Sequence, residues 1–233
     1  MEKSIIVALD YASQVEALAL IDQLDATRCR LKVGKEMFTR FGPDFVKLLV
    51  NRQFDVFLDL KFHDIPNTVA KACQSAADLG VWMVNVHASG GPAMLDAARQ
   101  SLESYGTKRP LLIAVTVLTS FDQQQLHQIG IEHSIEQQVL LLADLASKAG
   151  CDGVVASALE ASAIKQNTPS LLTVTPGIRL SDSSLDDQKR VMTPAKARKG
   201  GSDFLVIGRP ITQAKNPMSV LQAIEKELES VFL

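Results

Sequence analysis

Residues 56–87 read VFLDLKFHDIPNTVAKACQSAADLGVWMVNVH. Val56 to Lys61 opens the stretch as an apolar run carrying two charges, and Val81 to His87 closes it as a second β-branched run. Between them Val69, Ala72, Cys73, Ala76 and Gly80 recur at the 3.6-residue period of one helix face. Pro66 stands where the first helical turn tolerates a missing N–H, and Gly80 where a helix commonly stops. The stretch therefore reads strand, helix, strand. Runs of Val, Ile and Leu with little alternation are those of parallel strands covered on both faces.

The same unit repeats outward in both directions. Further strand-like runs are Ile5 to Leu9, Leu31 to Lys35, Leu111 to Leu118, Gly153 to Ser157, Leu171 to Thr175 and Phe204 to Gly208, which makes eight in all. Helical stripes recur at Ile135, Val139, Leu142, Ala146 and Ala149, and again at Leu221, Ile224, Leu228 and Val231. Pro43, Pro92, Pro194 and Pro217 mark other helix starts, Thr193 and Asn216 precede two of them as caps, and Gly150 marks a second stop. Eight strand–helix units in 233 residues predict a closed (β/α)₈ TIM barrel of the α/β class. An open doubly wound sheet would carry a Gly-rich turn after its first strand, and Leu9-Asp10-Tyr11-Ala12 stands there instead. No linker, repeat or low-complexity stretch divides the chain, so residues 1–233 are expected to form one domain. The most loop-like segment runs from Gly177 to Thr193, rich in Ser and Asp, a length that points to a functional lid or to disorder.

Composition narrows the functions. Hydrophobic residues make up 46%, enough for one sizeable core, and 24 basic against 26 acidic residues give a formal charge of -2. That balance argues against nucleic acid as a partner, while leaving room for a small anion in one pocket. Cys29, Cys73 and Cys151 are odd in number and lack C-x-x-C spacing, which gives neither a disulfide framework nor a zinc site. They read as buried thiols. Met1-Glu2-Lys3-Ser4 leads into a strand without a signal-peptide core, and no apolar run approaches a bilayer span, so a cytoplasmic protein without membrane association is expected.

Active-site groups of such barrels come from the C-terminal strand ends. In order these are Asp10, Lys32, the group Asp59, Lys61 and Asp64, then His87, Thr119, Ser157, Arg179 and Arg209. Asp59 and Lys61 are two apart, so on a strand both point to one face. Buried charges need partners. Asp59, Asp64 and Lys32 around Lys61 supply an alternating array of carboxylates and ammoniums, and nearby carboxylates favour the charged lysine. Lys61 then suits proton donation better than Schiff-base attack. D-x-K alone reads equally well as an ion-pair network that fixes the barrel mouth; the added Asp10, Lys32 and Asp64 favour chemistry.

A second signal is Leu205-Val206-Ile207-Gly208-Arg209-Pro210, an apolar strand ending in glycine and arginine. Phosphate sites of these barrels lie after strands seven and eight, where Gly208 permits close approach and Arg209 a bidentate clamp. Thr175-Pro176-Gly177-Ile178-Arg179 adds a neighbouring glycine and arginine. One Gly-Arg pair is more often a surface turn, but two on adjacent strand ends point to an anion. His63 and His87 could ligate a metal with Asp59, yet Lys32 and Lys61 at the same rim would repel a cation, so no metal is expected. Trp82 reads as packing, and Ser120 and Phe121 as shaping the loop after strand five.

Asp59-Leu60-Lys61-Phe62-His63-Asp64-Ile65-Pro66-Asn67-Thr68 resembles the signature of the orotidine 5′-phosphate decarboxylase family in its short bacterial form. The likeness extends through Val7-Ala8-Leu9-Asp10, Lys32-Val33-Gly34, Val84-Asn85-Val86-His87, Ala114 to Ser120, Asp152 to Val155, Thr175 to Arg179 and Val206 to Arg209. It implies a decarboxylase that makes UMP without a cofactor, as a homodimer. Lys61 would be the general acid, Asp59 would sit beside the departing carboxylate, and Asp64 would hold the lysine array. Asp10 and Lys32 would contact the ribose, and Thr119, Arg179 and Gln188 the nucleotide, with Gln188 on the lid. Gly208 and Arg209 would bind the 5′-phosphate, Ser157 would face the pyrimidine, and Asp64 and Thr68 would reach into the partner's site. No pyridoxal or thiamine motif is visible. The rivals are a metal-dependent phosphosugar decarboxylase or epimerase, which needs an acid where Lys32 stands although Glu36 lies one turn on, and a non-catalytic nucleotide-binding barrel, which has no need of the Lys61 and Asp59 pair.

Overall fold

The fold is that of a computed structural model, which describes residues 3–180 and 192–232. Eight parallel strands close into a barrel in chain order, β1 to β8, with β8 returning to β1 through Ile6↔Val206. They are β1 Ile5–Leu9, β2 Arg30–Gly34, β3 Val56–Phe62, β4 Met83–His87, β5 Leu111–Val115, β6 Gly153–Val155, β7 Leu172–Thr175 and β8 Phe204–Ile207. The helices are α1 Gln14–Ile21, α2 Lys35–Asn51, α3 Pro66–Asp78, α4 Pro92–Ser101, α5 Gln123–Gln128, α6 Ile135–Lys148, α7 Ala161–Asn167, α8 Pro194–Lys199, α9 Arg209–Thr212 and α10 Pro217–Glu229. None is long and apolar enough to cross a membrane.

Period-2 alternation along the strands builds two cores. On β1, Val7 and Leu9 face the helices while Ile6 and Ala8 face the barrel axis; on β3, Leu58 faces out and Phe57 in. Met83, Ile113, Val174, Phe204 and Val206 complete the interior. Charge is confined to its two ends. At the bottom the guanidinium of Arg30 stacks 4.0 Å from the Trp82 ring, with Phe204 beyond, so Trp82 does pack. At the top Lys32 and Asp59 are each only 9% exposed. Gly153 allows β6 to close against β7, because a Cβ there would lie 2.3 Å from the Leu172 carbonyl oxygen.

The sequence reading finds every strand and shifts several ends. Lys35 opens α2, β4 begins at Met83, and β5 and β6 stop at Val115 and Val155. Pro43 does restart a helix: Gly42, at φ 64 and ψ -163, breaks α2 just before it. Pro66, Pro92, Pro194 and Pro217 each sit in the first turn of a helix. Asn216 caps α10 by accepting from the Ser219 N–H, whereas the Thr193 side chain caps nothing. In α8 the Ala195 N–H goes instead to Glu227 at 3.0 Å. The three cysteines are buried free thiols, each pushed up to about 12 by burial.

Candidate active site

A cavity of about 610 Å³ opens at the C-terminal ends of the strands. Of the expected residues, Asp10, Lys32, Asp59, Lys61, Thr119, Arg179, Gly208 and Arg209 all line it. Sequence separation runs to the length of the chain; closure of the barrel brings them to one rim.

Strand β3 carries the central pair. Phe57, Asp59 and Lys61 occupy successive inward positions, but the strand is not regular. Its register with β4 shifts between Leu58 and Phe62, and Lys61 has φ 53. A side chain in the left-handed region costs about 1–2 kcal/mol, so surrounding bonds must hold it there. The N–H of Lys61 donates to Oδ1 of Asn85 at 2.8 Å, and its Nζ lies 2.6 Å from Oδ1 of Asp59. Asn85, 0% exposed, also donates Nδ2 to that Asp59 oxygen at 2.7 Å.

Lys32 serves both flanking carboxylates, at 3.5 Å from Oδ2 of Asp59 and 3.4 Å from Oδ1 of Asp10. Burial pushes the Asp59 carboxyl up, yet the charges of Lys32 and Lys61, with hydrogen bonds from Lys61 and Asn85, outweigh it and hold the group below its ordinary value. The result is a fixed row of alternating charge with an ammonium aimed into a half-enclosed cavity. Such a row can stabilise negative charge that develops beside it and deliver a proton.

In the same lining, Gly208 lies between β8 and α9, and Arg209 opens the helix. Arg179 follows β7 and is 8% exposed. Gly177 turns the chain there at φ 84. Two guanidiniums and a glycine thus line the same cavity beside a short helical turn.

Asp64, Thr68 and Ser157 are not among the lining residues. Asp64 does not join the array of its own chain: it is exposed, and its Oδ1 accepts from the Ile65 N–H at 2.6 Å. β3 ends at Phe62 and α3 begins at Pro66, with Asp64 and Thr68 both exposed on either side of that start. Ser157 is 1% exposed, and its Oγ accepts from the Leu159 N–H at 3.3 Å inside a tight turn, so Val155 rather than Ser157 lines the cavity from β6. Gln188 lies outside the described residues.

Among the described residues no three His, Cys, Asp or Glu groups cluster as metal ligands. His87 is pushed down to about 4 by burial, then by His63, Lys35 and Lys61. Its ring centroid is 5.3 Å from that of His63. Glu36 does reach the cavity lining, but it pairs with Arg40 at 3.2 Å. Sequence reasoning passed over Gln213, which lines the cavity near Arg209, and the buried Asn85. A polar residue at an inward position of an apolar strand was the signal for Asn85, since a buried amide needs partners.

Fold and site together define a TIM barrel with a polar, charged site at its C-terminal rim. More narrowly, the chain belongs to the orotidine 5′-phosphate decarboxylase / HUMPS family, whose model matches residues 3–224. It is 61% identical over 229 residues to an orotidine 5′-phosphate decarboxylase of Legionella pneumophila, covering 98% of this chain and 100% of the relative. A Pseudoalteromonas atlantica protein of the same name is 58% identical over 224 residues, covering 96% and 97%. Among solved structures, the Lactobacillus acidophilus orotidine 5′-phosphate decarboxylase superposes with a TM-score of 0.87 at 36% identity, over 97% of this chain and 99% of that one.

Proposed function

We propose that this chain is a carboxy-lyase that converts orotidine 5′-phosphate to UMP and CO₂ in pyrimidine biosynthesis, by a direct, cofactor-free route. The observation that carries the reading is the Lys61 ammonium, 2.6 Å from Asp59, in the same cavity as Arg179 and Arg209. Family membership and the named relatives support the substrate.

Arg209 and Gly208 hold the 5′-phosphate, and Asp10 and Lys32 the ribose. Thr119, Arg179 and Gln188 contact the nucleotide. C6 with its carboxylate then lies at the Asp59–Lys61 end. The bond from C6 to the carboxylate breaks, the electron pair stays on C6, and CO₂ departs. Lys61 lowers the energy of the carbanion as its counter-charge and transfers a proton from Nζ to C6, giving UMP; solvent reprotonates the amine. The phosphate is remote from the reacting carbon, so its binding energy can organise the site without touching the bond that breaks.

The chain acts in the cytoplasm as one domain over residues 1–233, in a homodimer. Asp64 and Thr68 complete the partner's site from the exposed start of α3. Ile65 between them is 66% exposed, an apolar side chain suited to a subunit contact.

The test is to add orotidine 5′-phosphate to purified protein, exhaustively treated with EDTA and without cofactor, and to follow the loss of pyrimidine absorbance. Full turnover is expected. Turnover that returns only with Mg²⁺ favours the phosphosugar chemistry, and binding without turnover a non-catalytic barrel.

A further inference from the structure

We infer that Asn85 is the positioning residue of the proton donor, setting the aim of Lys61 without touching substrate. The inference rests on the decarboxylase reading and deepens it. Met83, Asn85 and His87 take the inward positions of β4 as Phe57, Asp59 and Lys61 do on β3. The ladder between these strands is interrupted between Leu58 and Phe62, and within that gap the Lys61 N–H goes to the Asn85 carboxamide. The same carboxamide donates to Asp59, and Asp59 in turn accepts from Lys61 Nζ.

Lys61 is thereby held at both ends. Its backbone is fixed by Oδ1 of Asn85, at 2.8 Å, and its ammonium by a carboxylate that Nδ2 of Asn85 orients from 2.7 Å. The amide can face only one way, because its acceptor must meet an N–H and its donor a carboxylate. An apolar residue would leave a buried N–H unpaired in the stretch where Lys61 is strained at φ 53. Relaxation of that residue swings the ammonium. Asn85 does not line the cavity, so it acts through Lys61 and Asp59 and should govern the chemical step more than binding.

Asn85→Leu keeps the branching and the number of side-chain heavy atoms and removes both bonds. A misplacement on the scale of 1 Å costs about 10²-fold, so kcat should fall by about that factor while KM and the affinity for UMP stay within about three-fold. Asn85→Asp supplies a second, different readout. Its carboxyl can accept from the Lys61 N–H, but when ionised it faces the Asp59 carboxylate; once protonated it donates as the amide does. The titratable groups around its partners Asp59 and Lys61 are Lys32 on β2, Asp10 after β1 and His87 on β4, while Ile113 of β5 opposite is apolar. The ratio of Asn85→Asp to wild-type kcat should therefore rise as pH is lowered from about 8 to about 5.

An Asn85→Leu kcat within three-fold of an active wild type overturns the inference, as does a loss carried by KM. A flat Asn85→Asp ratio overturns it too, and decides alone if Asn85→Leu does not fold. Should wild type not turn over orotidine 5′-phosphate, the decarboxylase reading fails by itself. Crystal structures of the variants then decide the positioning claim: Lys61 returning to extended φ supports it, and Lys61 retained in the left-handed region overturns it.

Discussion

Oδ1 of Asp59 receives Lys61 Nζ at 2.6 Å, a contact in which the carboxylate is nearly buried and the ammonium is turned toward the cavity. Lys61→Ala removes the proton donor and the counter-charge of the carbanion together, yet leaves Asp59 its bonds to Lys32 and Asn85. The fold should therefore survive while turnover falls by more than about 10⁴-fold, beyond the usual cost of losing a general acid. Steady-state kinetics, with circular dichroism to confirm folding, check this; a loss of only a few-fold removes Lys61 from the chemistry.

His87 makes stability depend on pH. Its imidazole is pushed from 6.5 to about 4, chiefly by burial and then by His63, Lys35 and Lys61, against a smaller opposing pull from Asp59. The unfolded chain therefore binds more protons than the folded one between those values, and stability rises with pH through that window. The contribution is fully present above the unfolded value and is lost as pH falls toward about 4. Discounted because the ring is half-exposed, it is about 1–2 kcal/mol. Urea unfolding of wild type and His87→Gln at about pH 7.5 and 4.5 measures it. The variant should lose less stability on acidification, and an equal loss in both proteins refutes the assignment.

Much of this was legible in the sequence because barrels repeat their instructions. Period-2 and period-3.6 patterns, with prolines at helix starts, locate eight strands and the order of their ends, and order is enough to gather Asp10, Lys32, Asp59, Lys61 and Arg209 at one rim. What was not legible depends on local geometry. The bulge at Lys61 arises from a register shift against β4 that no residue spacing announces. Asp64 is three residues from Lys61, but distance along the chain says nothing about which way the chain turns after Phe62. Ser157 stands at a strand end and still closes a turn on Leu159.

Arg209 should act through the phosphate. It opens α9 beside Gly208, in the cavity that the lysine–carboxylate row also lines. Arg209→Ala removes a bidentate donor from the anion and nothing from the reacting carbon. The variant should lose about 10²-fold or more in kcat/KM for orotidine 5′-phosphate and little for orotidine, which has no phosphate to hold. Assays of both substrates on both proteins test it. Equal damage to the two places Arg209 away from the phosphate.

The sharpest test of the proposed assembly uses two inactive variants. Asp64 is exposed and bonds only to the adjacent Ile65 N–H among the described contacts, so its own Lys61 does not explain its presence in the motif. If Asp64 completes the partner's site, Lys61→Ala and Asp64→Asn damage different chains of each site. Unfolding the two together and letting them reassociate gives about half hybrid dimers under random C₂ pairing. In a hybrid, one site receives an intact Lys61 from one chain and an intact Asp64 from the other, while the second site carries both defects. One good site in two, in half the dimers, returns about a quarter of wild-type activity. If each chain uses its own Asp64, every site keeps a defect and mixing restores nothing. Hybrids verified by mass and found inactive refute the shared site, and leave the roles of Lys61 and Asp59 to stand on their own tests.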